Sequence, residues 1–453
     1  GNGLCTRYEY NTDGNMIHLH FQRENGETIS DLWYEYDLNG NRTLKTGKCI
    51  LSGDSLTDLA VSYRYDSMDR LTSESRDGEE TAYSYDFCGN RLKKLDKSGE
   101  VEYHYNRKNQ LICRFSEKEK TAYRYDLQGN LLEAAGAEGT AVFSYNAFHQ
   151  QTAMTMPDGK HLENRYDAEY LRAGMVENGT VTTFSYHNGE LLAESSPEGD
   201  IISRYIPGYG VAGWNREKSG YHYYHLDEQN STAYITGSSG EIKNRYEYDA
   251  FGVLQNSREE FHNRILYTGQ QYDQTSGQYY LRARFYNPVI GRFVQEDEYR
   301  GDGLNLYAYC KNNPVVYYDP SGYDSQYPCK EEMSAGAGES GSSSGKYQVG
   351  AYQDIKGVEG LDAHHVGQKA LMKKVVADYD ELTAPAINVP KLGHTKRHPE
   401  RGIVSRSTKG ITNARQLLAR DLFELKRVYP DIPNSALKEL IDMNKKMYPE
   451  MRK

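Results

Sequence analysis

The chain of 453 residues is 37% hydrophobic and 26% charged, with a formal net charge of −10. That length allows two or more domains, and the lack of any run of 18 apolar residues excludes a membrane-spanning helix. The charge divides sharply: residues 346–453 carry 20 Lys plus Arg against 13 Asp plus Glu, net +7, whereas residues 1–345 carry 34 against 51, net −17.

An acidic body can hold a basic tail, and the tail can hold a polyanion; ordinary variation of surface charge is the plain alternative. The N-terminal Gly1-Asn2-Gly3-Leu4-Cys5 has no basic and apolar leader and reads as the start of an excised fragment. Cys5, Cys49, Cys88, Cys113, Cys310 and Cys329 form no CxxC, which argues against a zinc–cysteine site or a disulfide scaffold. With 41 tyrosines and 11 phenylalanines, the chain is expected to form short strands with half-exposed aromatic faces in place of one deep apolar core.

From the front of the chain an aromatic-x-Tyr-Asp/Asn unit recurs at Tyr63–Asp66, Tyr83–Asp86, Tyr103–Asn106, Tyr123–Asp126 and Phe143–Asn146, its tyrosines 20 residues apart. Looser copies stand at Tyr8–Asn11, Tyr34–Asp37, Arg165–Asp167, Phe184–His187 and Tyr246–Asp249. Alternation around a Gly/Asn turn, as at Asp126–Asn130, predicts β-hairpins. One hairpin buries little, so neighbours must stack or join edges into a continuous curled sheet. Tyrosines two apart share a face, and packing accounts for them without any chemistry.

These units resemble the tyrosine–aspartate (YD) repeats of the Rhs family. Gly277-Gln-Tyr-Tyr-Leu-Arg-Ala-Arg-Phe-Tyr286 with Gly291-Arg-Phe-Val294 is similar to that family's core. Leu304–Tyr309, Asn312-Asn-Pro-Val315 and Asp319-Pro-Ser-Gly-Tyr323 resemble its closing signature. The resemblance implies a mainly β fold, in which residues 1–262 form a YD-repeat β-sheet spiral closing into a hollow shell and residues 263–323 form the core and autoprotease segment. By the same resemblance, the basic tail would be a variable C-terminal toxin and the shell's cargo. It further implies an aspartyl pair, Asp297 and Asp319, that cuts between Tyr323 and Asp324. Two carboxylates can split acid and base roles when they share a proton. Glu298 stands where the family has Pro, and Asn287 replaces a common core aspartate; without the resemblance both aspartates are ordinary turn residues.

Residues 324–345 include the Gly/Ser-rich stretch Ser334–Gly345, a flexible tether with no Walker-type Gly-Lys-Ser/Thr after it. The tail, residues 346–453, is predicted as a small α+β domain. Its expected elements are a helix over Val366–Asp378, a strand at Ile387–Val389 after Pro385, a helix turn over His394–His398, and helices at about Thr412–Val428 and Ser435–Met447. Leu417, Leu418, Leu422 and Leu425 form the packing stripe.

Leu361–Gln368 and Asn388–His398 hold four of the thirteen histidines. Neutral imidazoles bind divalent metals, and one can also take a proton near neutral pH. The four-residue step from His394 to His398 would bring both rings to one side of a helix turn. Adjacent His364 and His365 face different ways, so one can ligate a metal while the other reaches a water. A chance HxxxH spacing is the plain alternative.

This arrangement resembles the HNH-superfamily toxin nucleases marked by Ala-His-His, here Ala363-His364-His365. The resemblance implies a ββα-metal finger holding one divalent ion (zinc, nickel, magnesium or manganese) on His364, His394 and His398. His365 would be the general base, and Asn388 the residue that orders its loop. Lys396, Arg397 and Arg401 are candidate phosphate contacts, each equally explicable as surface charge. The implied protein is a polymorphic bacterial toxin, secreted or delivered into a target cell's cytoplasm, whose metal-dependent endonuclease takes DNA ahead of RNA. Its implied partners are an immunity protein, a delivery apparatus and its own acidic shell. The alternative is a repeat-based surface adhesion or carbohydrate-binding protein with a structural metal site. A deaminase or zinc-peptidase tail is disfavoured, since neither HxE with PCxxC nor HExxH occurs.

Overall fold

The computed structural model describes residues 2–326 other than 52, 54, 188, 209, 217–219 and 299–304. In the tail it describes 346–358, 360–365, 372–374, 376, 379–398, 401–404, 414–429, 432, 434–448 and 450. The chain divides into two compact units, Gly1–Gly336 and Ala337–Lys453. The expected tether Ser334–Gly345 lies outside the described residues, as does most of the helix expected over Val366–Asp378, of which Met372–Lys374 are helical.

The first unit is built on a sheet of twenty-four strands, β1 (Leu4–Tyr10) to β24 (Leu254–Glu259). Each strand pairs antiparallel with the next in sequence. The repeat is explained by its turn. In several repeats the Asp or Asn after the tyrosine accepts backbone N–H bonds from residues two and four positions on: Asp66 from Met68 and Arg70, Asn106 from Lys108 and Gln110, Asn146 from Phe148 and Gln150. Such side-chain turns compete with the ladder and fix where a strand stops. The residue three positions on takes a left-handed φ, 78° at Gly89 and 61° at Asn109, which Gly and Asn tolerate. The second tyrosine of a repeat then reaches back to the hairpin before it. Tyr85 donates to the Leu71 carbonyl at 2.8 Å, Tyr105 to that of Arg91 at 2.8 Å and Tyr186 to that of Arg172 at 3.1 Å.

The half-exposed aromatic faces expected from composition hold only for part of this ladder. Tyr63, Tyr83 and Tyr103, the first aromatics of their repeats, are buried, and Tyr279, Tyr286, Tyr307 and Tyr309 are fully so. For three of these, burial is tolerated because the hydroxyl finds an acceptor: Tyr279 donates to the Gly252 carbonyl at 2.9 Å, Tyr286 to that of Phe251 at 2.7 Å and Tyr307 to that of Gly129 at 2.8 Å.

These last tyrosines belong to the segment after the sheet, which carries its own four strands: β25 (Gln271–Asp273), β26 (Gln278–Leu281), β27 (Arg284–Asn287) and β28 (Arg292–Phe293). It runs along the turns and bonds to one after another. Asn312 donates to the Gly89 carbonyl, Arg292 to that of Asn109, Gln295 to that of His149 and Arg282 to that of Gly189. Fully buried Arg172 pairs with Asp273 at 2.6 Å. The early and late strands also meet, with Arg42 and Lys45 both 3.0 Å from Glu228 and Tyr234 bonded to the Ile50 carbonyl.

In the second unit β29 (Val349–Ala351), β30 (Leu361–His365) and β31 (Pro385–Pro390) form an antiparallel sheet with β31 central. A one-turn helix, α1 (Tyr352–Ile355), and two longer ones, α2 (Ala414–Val428) and α3 (Asn434–Met447), complete the elements. Ile387 and Val389 of β31 are buried with Leu417, Leu418 and Leu425 of α2 and Leu440 of α3, while Leu422 packs at the margin. Pro385 opens the strand and pairs with Ala351, where the sequence placed it ahead of the strand.

The helix turn expected at His394–His398 is not formed. Lys391–His398 is a loop in which the Lys391 carbonyl accepts the N–H groups of Thr395 at 3.0 Å and Lys396 at 2.8 Å, and His398 pairs with Gly402. Gly393 breaks the helical path with a φ of 99°. A Cβ there would stand 2.5 Å from Val428, so the close packing of the loop on α2 requires glycine.

Candidate functional site

The site residues singled out in the sequence lie in two clusters, one in each unit. In the first, the two aspartates singled out in the sequence converge on Arg284 of β27. Its guanidinium lies 3.6 Å over the Phe293 ring, with Nη2 2.8 Å from Asp297 and 3.7 Å from Asp319. Asp319 Oδ1 accepts the N–H groups of Ser321 at 3.0 Å and Gly322 at 2.7 Å. Arg284 Nε donates to the Gly322 carbonyl. The buried carboxylates thus stand beside the peptide that leads into Tyr323 and Asp324. Burial first, then the charges of Glu298 and Asp297, raise the Tyr323 hydroxyl above its ordinary value, so Glu298 bears on the same spot. Asn287 accepts the Val289 N–H at 3.0 Å and closes a local turn.

In the second unit, strand alternation puts Asp362 and His364 on one face of β30 and His365 on the other. His364 Nδ1 lies 3.0 Å from His394 Nε2, the rings edge to face. His394 Nδ1 lies 3.0 Å from Asp362 Oδ2, which also accepts the Thr395 hydroxyl at 2.7 Å. Because a carboxylate only accepts, His394 carries its proton on Nδ1 and turns the Nε2 lone pair toward His364. A proton or a cation must then lie between the two facing nitrogens. Two imidazole nitrogens each about 2.1 Å from one ion stand roughly 3.0–3.4 Å apart, so the observed spacing fits a shared metal. Burial would raise the Asp362 carboxyl, but bonds from Thr395 and His394 and the charges of His394 and Lys391 outweigh it and hold it below the ordinary value.

Among the described residues no group of three or more His, Cys, Asp or Glu is arranged to hold a metal. The donors brought together are His364 and His394, with Asp362 behind the latter. His398 follows in the same loop, its Nδ1 accepting the Arg401 N–H at 3.2 Å. Arg427 of α2 pins that loop by donating to the Arg401 and Ile403 carbonyls at 2.6 and 2.9 Å. Lys396, Arg397 and Arg401 are exposed along it.

His365 meets the Glu381 carbonyl through Nε2 at 3.0 Å, and its ring stacks on Tyr352 at 4.1 Å. A carbonyl only accepts, so the proton sits on Nε2 and Nδ1 is the basic nitrogen. Asn388, buried opposite Ala363, donates to the Ile355 carbonyl at 2.8 Å and ties α1 to the sheet. Asp362 and Thr395 were missed in the sequence. Asp362 stands two residues before His364, the strand spacing that places both on one face, and Thr395 directly follows His394.

The Teneurin YD-shell family model matches residues 48–315. The chain belongs to the Teneurin YD-shell family. Similar proteins include the tRNA3(Ser)-specific nuclease WapA of Bacillus spizizenii, 36% identical over 172 residues, which are 35% of this chain and 7% of that protein. Toxin protein Tse5 of Pseudomonas aeruginosa is 32% identical over 101 residues, 22% of this chain and 8% of its own. The chain therefore spans less than a tenth of the length of these two relatives. Among solved structures, the fold of this YD-shell protein is similar to that in the crystal structure of TcdB2-TccC3-TEV, with a TM-score of 0.57 and 19% identity over 71% of this chain and 18% of that one. Among the described residues no helix is long and apolar enough to cross a membrane, which leaves crossing by strands unaddressed.

Proposed function

We propose that this chain is a bacterial toxin whose C-terminal unit hydrolyses nucleic-acid phosphodiester bonds with a divalent metal ion. The YD-shell is its hollow container, and Asp297 and Asp319 release it by cutting between Tyr323 and Asp324. The nuclease reading is carried by the line Asp362, His394, His364, with His365 on the opposite face of the same strand. An outer carboxylate that fixes one imidazole nitrogen and leaves the other for a metal is how metal-binding histidines are oriented. When bound, a divalent ion there supplies charge neutralisation at a phosphate oxygen.

His365 takes the proton of the attacking water at Nδ1, its ring held by the Glu381 carbonyl and Tyr352. Asn388 keeps α1, and with it Tyr352, against the strand. Lys396, Arg397 and Arg401 grip phosphates without reading sequence, and His398, on the pinned loop, is the further candidate ligand. Similarity to the nuclease WapA and to the toxin protein Tse5 supports a toxin and a nuclease. The opposite net charges of body and tail support enclosure of one by the other. For release, Arg284 holds both carboxylates at the Gly322 carbonyl, one residue before the bond to be cut.

The test is incubation of the chain and of its released C-terminal unit with supercoiled DNA and with tRNA, with and without a chelator. Metal-dependent cutting of either substrate, abolished in His365→Ala while calorimetry still records metal binding, is the expected result. Normal cutting by that variant removes His365 as the base; intact DNA and RNA under all conditions refute the nuclease.

A further inference from the structure

Where the late strands return onto the early ones they enclose a cavity of about 100 Å³. Five carboxylates line it: Glu74 of the strand Leu71–Arg76, Asp227 and Glu228 of the turn before the strand Thr232–Thr236, and Glu247 and Asp249 at the end of Ile242–Tyr248. Three cations face them, Arg42, Lys45 and Arg76. These cations are engaged by two of the acids: Arg42 and Lys45 stand 3.0 Å from Glu228, and Arg76 3.4 Å from Glu247.

The other three acids are satisfied by backbone. Glu74 accepts the Ala250 N–H at 2.9 Å across the seam, Asp227 those of Gln229 and Ser231, and Asp249 those of Phe251 and Val253. Behind the lining, Arg91 and Lys94 bear on Asp249, and Arg245 and Asp77 on Glu247. His225, at the cavity wall, is pushed down to about 3 by burial and stays neutral. Gln229 Oε1 and Glu247 Oε1 have no hydrogen-bond partner, and the five carboxylates of the lining face three cations.

We propose that this seam is a pH-sensitive latch between the two ends of the ribbon, tight when Glu74, Asp227 and Asp249 are protonated and loosened when they ionise. Burying three anions without ion-pair partners of their own costs more than burying the neutral acids, and the backbone bonds and nearby cations that favour the ionised forms do not outweigh that burial. Burial is the first cause that raises all three carboxyls above their ordinary values, Asp227 to about 6. Glu228 goes the other way: burial would raise it, but Lys45 and Arg42 hold it down to about 2, so it stays ionised as the anchor. A carboxyl raised in the folded state adds stability below its ordinary value, and that stability is lost as pH rises through the folded value. The seam therefore tightens in acid and loosens between mildly acidic and alkaline pH.

Hydrogen exchange of the whole chain, corrected for the intrinsic rate at each pH, tests this. Opening of the strands Leu71–Arg76 and Thr232–Thr236, measured against Leu111–Ser116 as reference, should rise at least about tenfold from about pH 5 to about pH 8, because a carboxyl that binds its proton about ten times more tightly in the closed seam changes the opening equilibrium by the same factor. Asp227→Asn and Asp249→Asn preserve their turns, because Asn makes the same turn at positions 106 and 146. Combined with Glu74→Gln they should flatten the rise; should that triple variant fail to fold, Asp227→Asn alone should reduce it. Asp66→Asn, the same change in a turn outside the cavity lining, should leave it intact. A seam whose opening ignores pH, falls with rising pH, or responds equally in the native chain and the variants overturns the proposal.

Discussion

Asp362→Asn should weaken metal binding far more than folding. The carboxylate accepts from both His394 Nδ1 and Thr395 Oγ1, at 3.0 and 2.7 Å. An amide can accept one of these bonds but no longer favours a proton on His394 Nδ1. His394 Nε2 then holds the proton for part of the time and must lose it before a metal can bind. Loss of such an outer partner lowers metal affinity about 10–100-fold, which is about 1.4–2.8 kcal/mol at about 1.4 kcal/mol per tenfold. Folding should lose only about 1 kcal/mol, the ordinary net worth of one hydrogen bond. Calorimetric titration of zinc and of manganese against a competing chelator, beside urea unfolding of the metal-free chain, separates the two effects. Thr395→Val removes one bond to the same carboxylate without changing its charge, and should cost about 0.5–1.5 kcal/mol. Equal metal affinity in Asp362→Asn and the native chain would refute the orientation of His394 by Asp362.

Three further outcomes follow from the first unit. Tyr105→Phe removes the bond to the Arg91 carbonyl and should lower stability by about 0.5–1.5 kcal/mol, read as a shift in urea midpoint at constant slope. Arg172→Met leaves Asp273 buried without its 2.6 Å partner and should destabilise by about 3–5 kcal/mol; a smaller loss in Arg172→Met with Asp273→Leu would show that the stranded charge dominates. At Asp66, burial opposes but the bonds from Arg70 and Met68 win, holding the carboxyl below its ordinary value. Its contribution is present above the ordinary aspartate range and is lost as pH falls through the depressed value. Acid titrations of native chain and Asp66→Asn should therefore converge at low pH and differ near neutrality.

What could be read from the sequence was whatever is specified within a few residues. The Asp126–Asn130 turn is such a case, because the side chain of its first residue accepts the backbone N–H four positions on. Helices α2 and α3 are another, their apolar stripes marking one face. The spacing of His394 and His398 misled because helical periodicity takes no account of the approach of Val428 to Gly393, a contact between residues far apart in sequence. For the same reason the sequence named Asp297 and Asp319 but not Arg284, which joins them, and named His364 and His394 but not Asp362, which orients one toward the other. Buried tyrosines such as Tyr307 were read as half-exposed because the acceptor that permits their burial, the Gly129 carbonyl, is supplied from a distant part of the unit.

The contacts from Gly89, Asn109, His149 and Gly189 to residues 282–312 set an order of assembly. Each hairpin is complete once its own turn and the one before it exist, so a nascent chain can lay down the ribbon piece by piece as it leaves the ribosome. The strip that fastens those turns together is translated only after all of them, and every one of its anchoring points is already waiting. Deleting a single internal repeat would spare local hairpins yet shift each later anchor by one step, so such chains should remain β-rich while failing to lock.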